Sequence, residues 1–163
     1  MEELNDSVNA AYEKAVRILA AASQTRYGLE VKLKRAGFTT EAIKNACEQL
    51  EQRRYLDDKG FAKGLASKRI VQGKGRMYIR QELKKKGIAP EIIENIISTI
   101  SQEEEQEKAN IIALGIWENT TRKPSEARKR KVLGTLGRRG YSGSIAFRAL
   151  AKAIEEEDRT EDA

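Results

Sequence analysis

The sequence predicts an all-α protein built from three tandem three-helix repeats, and three observations carry that prediction. Only 2 of the 163 residues are proline, and Glu, Lys, Arg, Ala, Ile and Leu dominate, a composition that favours helix throughout. No stretch alternates apolar and polar residues with the period of a strand. A six-residue pattern, Leu-x-x-x-Gly-apolar, recurs at near-constant intervals in "LKRAGF" from Leu33, "LKKKGI" from Leu83 and "LGRRGY" from Leu136, as in a tandem helical array.

The pattern reads as a helix stop followed by a helix start. Glycine after the last helical residue takes the left-handed conformation at little cost. The residue after it then folds back onto the leucine, pairing Leu33 with Phe38, Leu83 with Ile88 and Leu136 with Tyr141. Basic residues between them favour the negative end of the helix dipole.

The helices follow in order. In the first repeat they run about 7–22 and 28–36, then a third capped by Thr39 or Thr40 that carries Ile43, Ala46, Cys47 and Leu50. In the second they run about 58–72 and 76–86, broken at "GKG", then one that Pro90 begins and Ile92, Ile93, Ile96, Ile97 and Ile100 continue. In the third they run about 102–119 and 124–138, then one capped by Ser142 or Ser144 before Ile145, Phe147 and Leu150. The expected domains are residues 1–54, 55–101 and 102–157, followed by a frayed acidic tail over 158–163.

Composition narrows the chemistry. There is no histidine, the commonest general base and metal ligand. The single cysteine, Cys47, forms no internal disulfide or thiolate zinc site and falls on an apolar helix face as a small buried hydrophobe. "GKGR" is too short for a phosphate-binding P-loop. The acidic start "MEELNDSVNA" lacks the apolar core of a signal peptide, and no apolar run reaches the length of a membrane span. These features predict a soluble, cytoplasmic chain without a cofactor.

Two adjacent carboxylates in "YLDDKGFA" admit a capping or a catalytic reading. With Asp57 as N-cap, Leu56 and Phe61 take the positions of a hydrophobic staple, and Asp58 lies in the first turn, where negative charge is favoured. A metal or acid–base site would need further carboxylates converging on the pair, and the neighbouring sequence supplies none in order. Capping is the stronger reading, and the chain is not expected to be an enzyme.

Charge is unevenly placed. Residues 61–100 hold 9 basic and 3 acidic side chains, and residues 101–140 hold 9 and 6. Arg76, Arg80 and Lys84 recur every four residues along one helix, preceded by Lys68, Arg69 and Lys74. Arg122, Lys123, Arg128, Lys129, Arg130, Lys131, Arg138 and Arg139 form a second cluster in which Glu126 is the one acid. Two dense clusters in consecutive repeats point to a shared anionic partner rather than a merely solvated face. Aromatics do not interleave with them as in single-strand stacking platforms, Tyr78 excepted, and no sequence-specific base readout is expected.

The stretch "YLDDKGFAKGLASKRIVQGKGRMYIRQELKKKGI" resembles the central motif of the bacterial regulatory protein RecX family, through Tyr55, Leu56, Asp57, Asp58, Phe61, Ala62, Arg69, Gly73, Gly75, Ile79, Leu83, Lys86, Gly87 and Ile88. Weaker likeness extends through "VKLKRAGF" and "LGTLGRRGY". The first repeat departs from the family pattern at Thr25 and Gly28, where members often carry Ser and Glu. The resemblance implies an elongated, curved molecule that acts as a monomer on the RecA recombinase and the RecA–DNA filament. It further implies inhibition of filament extension, ATP hydrolysis, strand exchange and the coprotease activity behind the SOS response, with weaker, sequence-independent DNA binding. The alternative from the charge pattern is a general nucleic-acid-binding helical repeat protein.

Overall fold

A computed structural model describes the backbone of residues 2–161 and the side chains of residues 7–160. Among the described residues there are nine helices and no strand: α1 Glu2–Ala21, α2 Arg26–Arg35, α3 Thr40–Gln52, α4 Asp58–Val71, α5 Arg76–Lys85, α6 Pro90–Ser98, α7 Gln102–Glu118, α8 Ser125–Arg138 and α9 Gly143–Glu161. They follow the three recurrences of the sequence pattern as tandem three-helix repeats.

The stops form as the pattern predicts. Gly37, Gly87 and Gly140 have φ of 92°, 74° and 85°, values that a residue with a Cβ rarely adopts. Behind each, the apolar residue donates its N–H to the leucine carbonyl, as Phe38 to Leu33 at 3.3 Å, Ile88 to Leu83 at 3.2 Å and Tyr141 to Leu136 at 3.1 Å. Leu33, Leu83 and Leu136 are fully buried. The Thr39 hydroxyl accepts from the Ala42 N–H at 3.3 Å and the Ser142 hydroxyl from Ile145 at 3.4 Å, so both expected caps are present. Thr25 and Ser101 cap α2 and α7 in the same way.

A second recurrence lies in the first helix of each repeat. Ala11 and Ala15, Ala62 and Ala66, and Ala109 and Ala113 are all buried. Small side chains four apart on one face let a neighbouring helix lie close. In the third repeat, Ala109 and Ala113 share a core with Ala146, Ala149 and Ala153 of α9, around Trp117, Val132, Leu136 and Tyr141. In the first, Ala15 joins Leu29, Leu33, Ile43, Cys47 and Leu50.

Two expectations for α9 change. Phe147 is 63 % exposed, because the buried face runs through Ile145, Ala146, Ala149, Leu150 and Ala153 and leaves position 147 on the outside. The helix also continues to Glu161, through residues assigned to the frayed tail. Glu157 anchors that last stretch to Arg128 and Trp117. Asp162 and Ala163 lie outside the described residues.

The chain folds as two compact units that do not coincide with the repeats. One comprises the chain up to Leu65 with Leu83–Ile93, and the other comprises Ala66–Glu82 and the chain from Glu94 onward. Each unit contains one junction where the second helix of a repeat begins against the second-helix stop of the next. In the first unit the buried Thr25 hydroxyl donates to the Lys86 carbonyl at 2.7 Å. A Cβ on Gly87 would run into the Tyr27 ring. In the second unit Gly75 N–H donates to the Arg139 carbonyl at 2.8 Å and Met77 N–H to the Gly140 carbonyl at 3.1 Å. There a Cβ on Gly75 would strike the Gly140 carbonyl, and one on Gly140 would strike the Tyr78 backbone.

Candidate polyanion interface

The two junctions engage some of the chain's basic side chains. Their geometry is repeated within the chain: Arg26 begins α2 and Arg76 begins α5 at matching positions. The Arg76 N–H donates to Glu105 Oε1 at 2.8 Å, and its guanidinium reaches the Ile100 carbonyl at 2.6 Å and Glu105 at 3.1 Å. Glu105 is almost fully buried, so this arginine neutralises a carboxylate the fold has taken out of water.

Its neighbours in the second unit are also engaged. Arg69 grips Glu82 through two 2.6 Å hydrogen bonds and reaches Gln72 at 2.8 Å. Arg80 forms a two-pronged pair with Glu94 at 2.9 and 3.1 Å, with the arginine side chain 42 % exposed. This contact raises the Arg80 pKa and holds the Glu94 carboxyl below its usual range. Arg139 donates to the Gln72 carbonyl at 3.0 Å. The Lys74 ammonium sits 4.3 Å from the Tyr78 ring centre, a cation–π contact. Lys68 and Lys84 are exposed.

The stripe Arg76, Arg80, Lys84 therefore exists as helical spacing but not as three free cations. The same holds more strongly in the second cluster. Arg128 is only 8 % exposed and does not belong to any outer face. Its guanidinium lies 3.7 Å from the Trp117 ring centre. It donates to Glu157 at 2.7 and 3.1 Å and to the Trp117 carbonyl at 2.9 Å. The Trp117 indole N–H donates to the same carboxylate at 2.7 Å. Hydrogen bonding from Arg128, together with Trp117, outweighs burial and holds the Glu157 pKa down.

Arg122, Lys123, Arg130, Lys131 and Arg138 differ from these. All five are exposed. Lys129 pairs with Glu126 at 2.9 Å, and Arg138 reaches the Thr135 hydroxyl at 3.3 Å. Among the described residues no carboxylate lies within 4 Å of the charged groups of the five, and Glu126, which feels Arg130, is already paired with Lys129.

The aspartate pair resolves into two structural roles. Asp57 Oδ1 accepts from the Gly60 N–H at 3.0 Å and caps its own helix. Asp58 Oδ1 accepts from the Arg26 N–H at 2.8 Å, capping the helix of the preceding repeat. Burial raises the Asp58 pKa, and the hydrogen bond from Arg26 works against that rise. Arg26 also contacts Glu30 at 2.9 Å and Glu51 at 2.6 Å. Among the described residues no three Cys, Asp or Glu side chains are grouped as metal ligands, and no helix is long and apolar enough to cross a membrane.

Comparison with known proteins agrees with this architecture. Family profiles for the first and second three-helix domains of RecX match residues 11–50 and 57–96. A regulatory protein RecX of Legionella pneumophila strain Corby is 36 % identical over 110 residues, covering 66 % of this chain and 69 % of that protein. Another, from Streptomyces coelicolor, is 28 % identical over 157 residues, covering 96 % and 84 %. The crystal structure of RecX from Lactobacillus salivarius superposes with a TM-score of 0.83 at 21 % identity, covering 92 % of this chain and 98 % of that one. Repeat pattern, central motif and fold converge, and the chain belongs to the RecX family of regulatory proteins.

Proposed function

We propose that this protein regulates homologous recombination by binding the RecA recombinase on DNA and restraining growth of the RecA–DNA filament. Membership of a regulatory family carries the reading, and the exposed cations of α8 and its preceding turn suit a partner rich in negative charge. The chain acts as a monomer in the cytoplasm, without a cofactor. Filament extension, ATP hydrolysis, strand exchange and SOS coprotease activity all decline because each needs an extended filament. Many weak, salt-screened contacts spread over neighbouring subunits sum to an effect that no single one supplies.

The test is ATP hydrolysis by RecA on single-stranded DNA as this protein is titrated from substoichiometric to equimolar amounts, with filament length followed in parallel. Both should fall. Unchanged turnover and unchanged length across the titration would remove the proposal.

A further inference from the structure

We infer that the outward face of α8 is where this protein seats the sugar–phosphate backbone of a nucleic acid, with Gly137 leaving room for the strand to lie close. The inference deepens the proposed function by assigning the nucleic-acid part of the filament to one helix, and it rests on that reading for its biological setting.

The sorting of the basic residues comes first. Arg69, Arg76, Arg80 and Arg128 are each held by a carboxylate within the fold. Arg130, Lys131 and Arg138 are not, and helical spacing turns all three away from the buried Val132 and Leu136. Arg122 and Lys123 extend the same charge into the turn before α8.

The chemistry of the face favours nucleic acid over an acidic protein. Between Arg130 and Arg138 the cations are interleaved with Gly134 and Gly137 and flanked by the half-buried Leu133 and Thr135, with no fully exposed aliphatic or aromatic side chain. A protein partner would use apolar anchors at the centre of its contact, whereas nucleic-acid interfaces are polar and strongly cationic. From Arg130 to Arg138 the helix rises about 12 Å, the length of about three nucleotides of one strand.

Gly137 keeps the face open. It is the next-to-last residue of α8, in the turn that carries Arg138. Its φ is not positive, and a Cβ there would meet nothing within 4 Å. The bare backbone at this position leaves room between Arg130 and Arg138 for a strand to lie close to the helix.

The experiment is fluorescence anisotropy of a fluorescein-labelled oligothymidylate titrated with the full chain at several salt concentrations. The triple variant Arg130→Glu, Lys131→Glu, Arg138→Glu should bind at least about 10-fold more weakly and show a salt slope shallower by about 2, the value for three lost phosphate contacts on a single strand. A control carrying Lys32→Glu, Lys34→Glu and Arg35→Glu makes the same change in net charge on the first repeat and should lose far less affinity. Gly137→Leu should melt no lower than the parent and still bind about 5-fold more weakly. Equal losses in triple variant and control, or parental binding by Gly137→Leu, overturn the inference.

RecA turnover measured on the same variants separates this inference from the proposed function. A triple variant that loses RecA suppression while binding the oligonucleotide normally would make the face a protein-docking surface and overturn the inference alone. Normal oligonucleotide binding behaviour in a protein that never affects RecA would overturn the proposed function alone.

Discussion

The Asp58 carboxylate accepts a 2.8 Å hydrogen bond from the backbone N–H of Arg26, 32 residues earlier in the chain. Glu105 does the same for Arg76, at 2.8 Å and across 29 residues. An acid one turn before the first buried alanine of a repeat thus caps the second helix of the repeat before it. Asp58→Ala should destabilise the protein by about 1–2 kcal/mol, the value of a lost helix cap. Asp58→Asn should change little, because it keeps an acceptor and removes a charge whose burial raises its pKa and so opposes folding at neutral pH. Urea unfolding of both variants checks this. Equal destabilisation by the two would mean that the charge, not the acceptor, matters.

Glycines at the repeat junctions should be far less tolerant than those elsewhere. Gly75→Ala and Gly140→Ala drive a methyl into backbone atoms, and the second also forces alanine to φ 85°. Each should cost about 3 kcal/mol or more. Gly64 lies inside α4, where a Cβ meets nothing within 4 Å, and Gly64→Ala should stabilise by up to about 1 kcal/mol. Thermal melts of the three variants compare them directly.

Acid should loosen the third repeat through Glu157. Its folded pKa is lowered by Arg128 and Trp117, so its contribution is complete above the usual glutamate range near about 4.3 and is lost as pH falls through the lower folded value. Trp117 is the single tryptophan, and its emission therefore reports on this one site. The signal should stay flat from neutral pH to about 5 and change below about 4.3. Glu157→Gln should shift that change and cost about 2 kcal/mol, because Arg128 loses its counter-charge.

The Cys47 thiol should resist labelling until the first repeat opens. It is fully buried, and burial pushes its pKa up to about 11. A thiol reagent at pH 8 should react with native protein at a rate that follows local opening, then fast and stoichiometrically in denaturant. Rapid labelling of native protein would contradict the packing of α3 described above.

Much of the architecture is visible in short-range pattern. The stops at Gly37, Gly87 and Gly140 and the caps at Thr39, Asp57 and Ser142 depend on neighbours within five residues, and spacing alone locates them. The availability of the basic side chains does not depend on short range. Arg76, Arg80 and Lys84 share a helix face by spacing, yet Glu105 and Glu94 engage the first two across 29 and 14 residues. Arg128 sits in the densest basic run of the chain and is nevertheless committed to Glu157, 29 residues on. Thr25 reads as a departure from the family pattern, while its hydroxyl joins two helices across 61 residues. Helical period assigns a side chain to a face; only tertiary packing decides what meets it there. The paired Ala-x-x-x-Ala of each first helix carried a usable signal, since the same spacing occurs three times.

The junctions overlap like roof tiles, each second helix beginning beneath the stop of the tile that follows. Shortening the protein should consequently be directional. Cutting away the third repeat would strip the acceptors at Glu105, Arg139 and Gly140 from the first turn of α5, leaving bare donors on a helix that had been roofed. Cutting away the first repeat would instead bare acceptors, the Asp58 carboxylate and the Lys86 carbonyl, and the stop at Gly87, a state that the stop at Gly37 already occupies with nothing within 4 Å of its Cβ position.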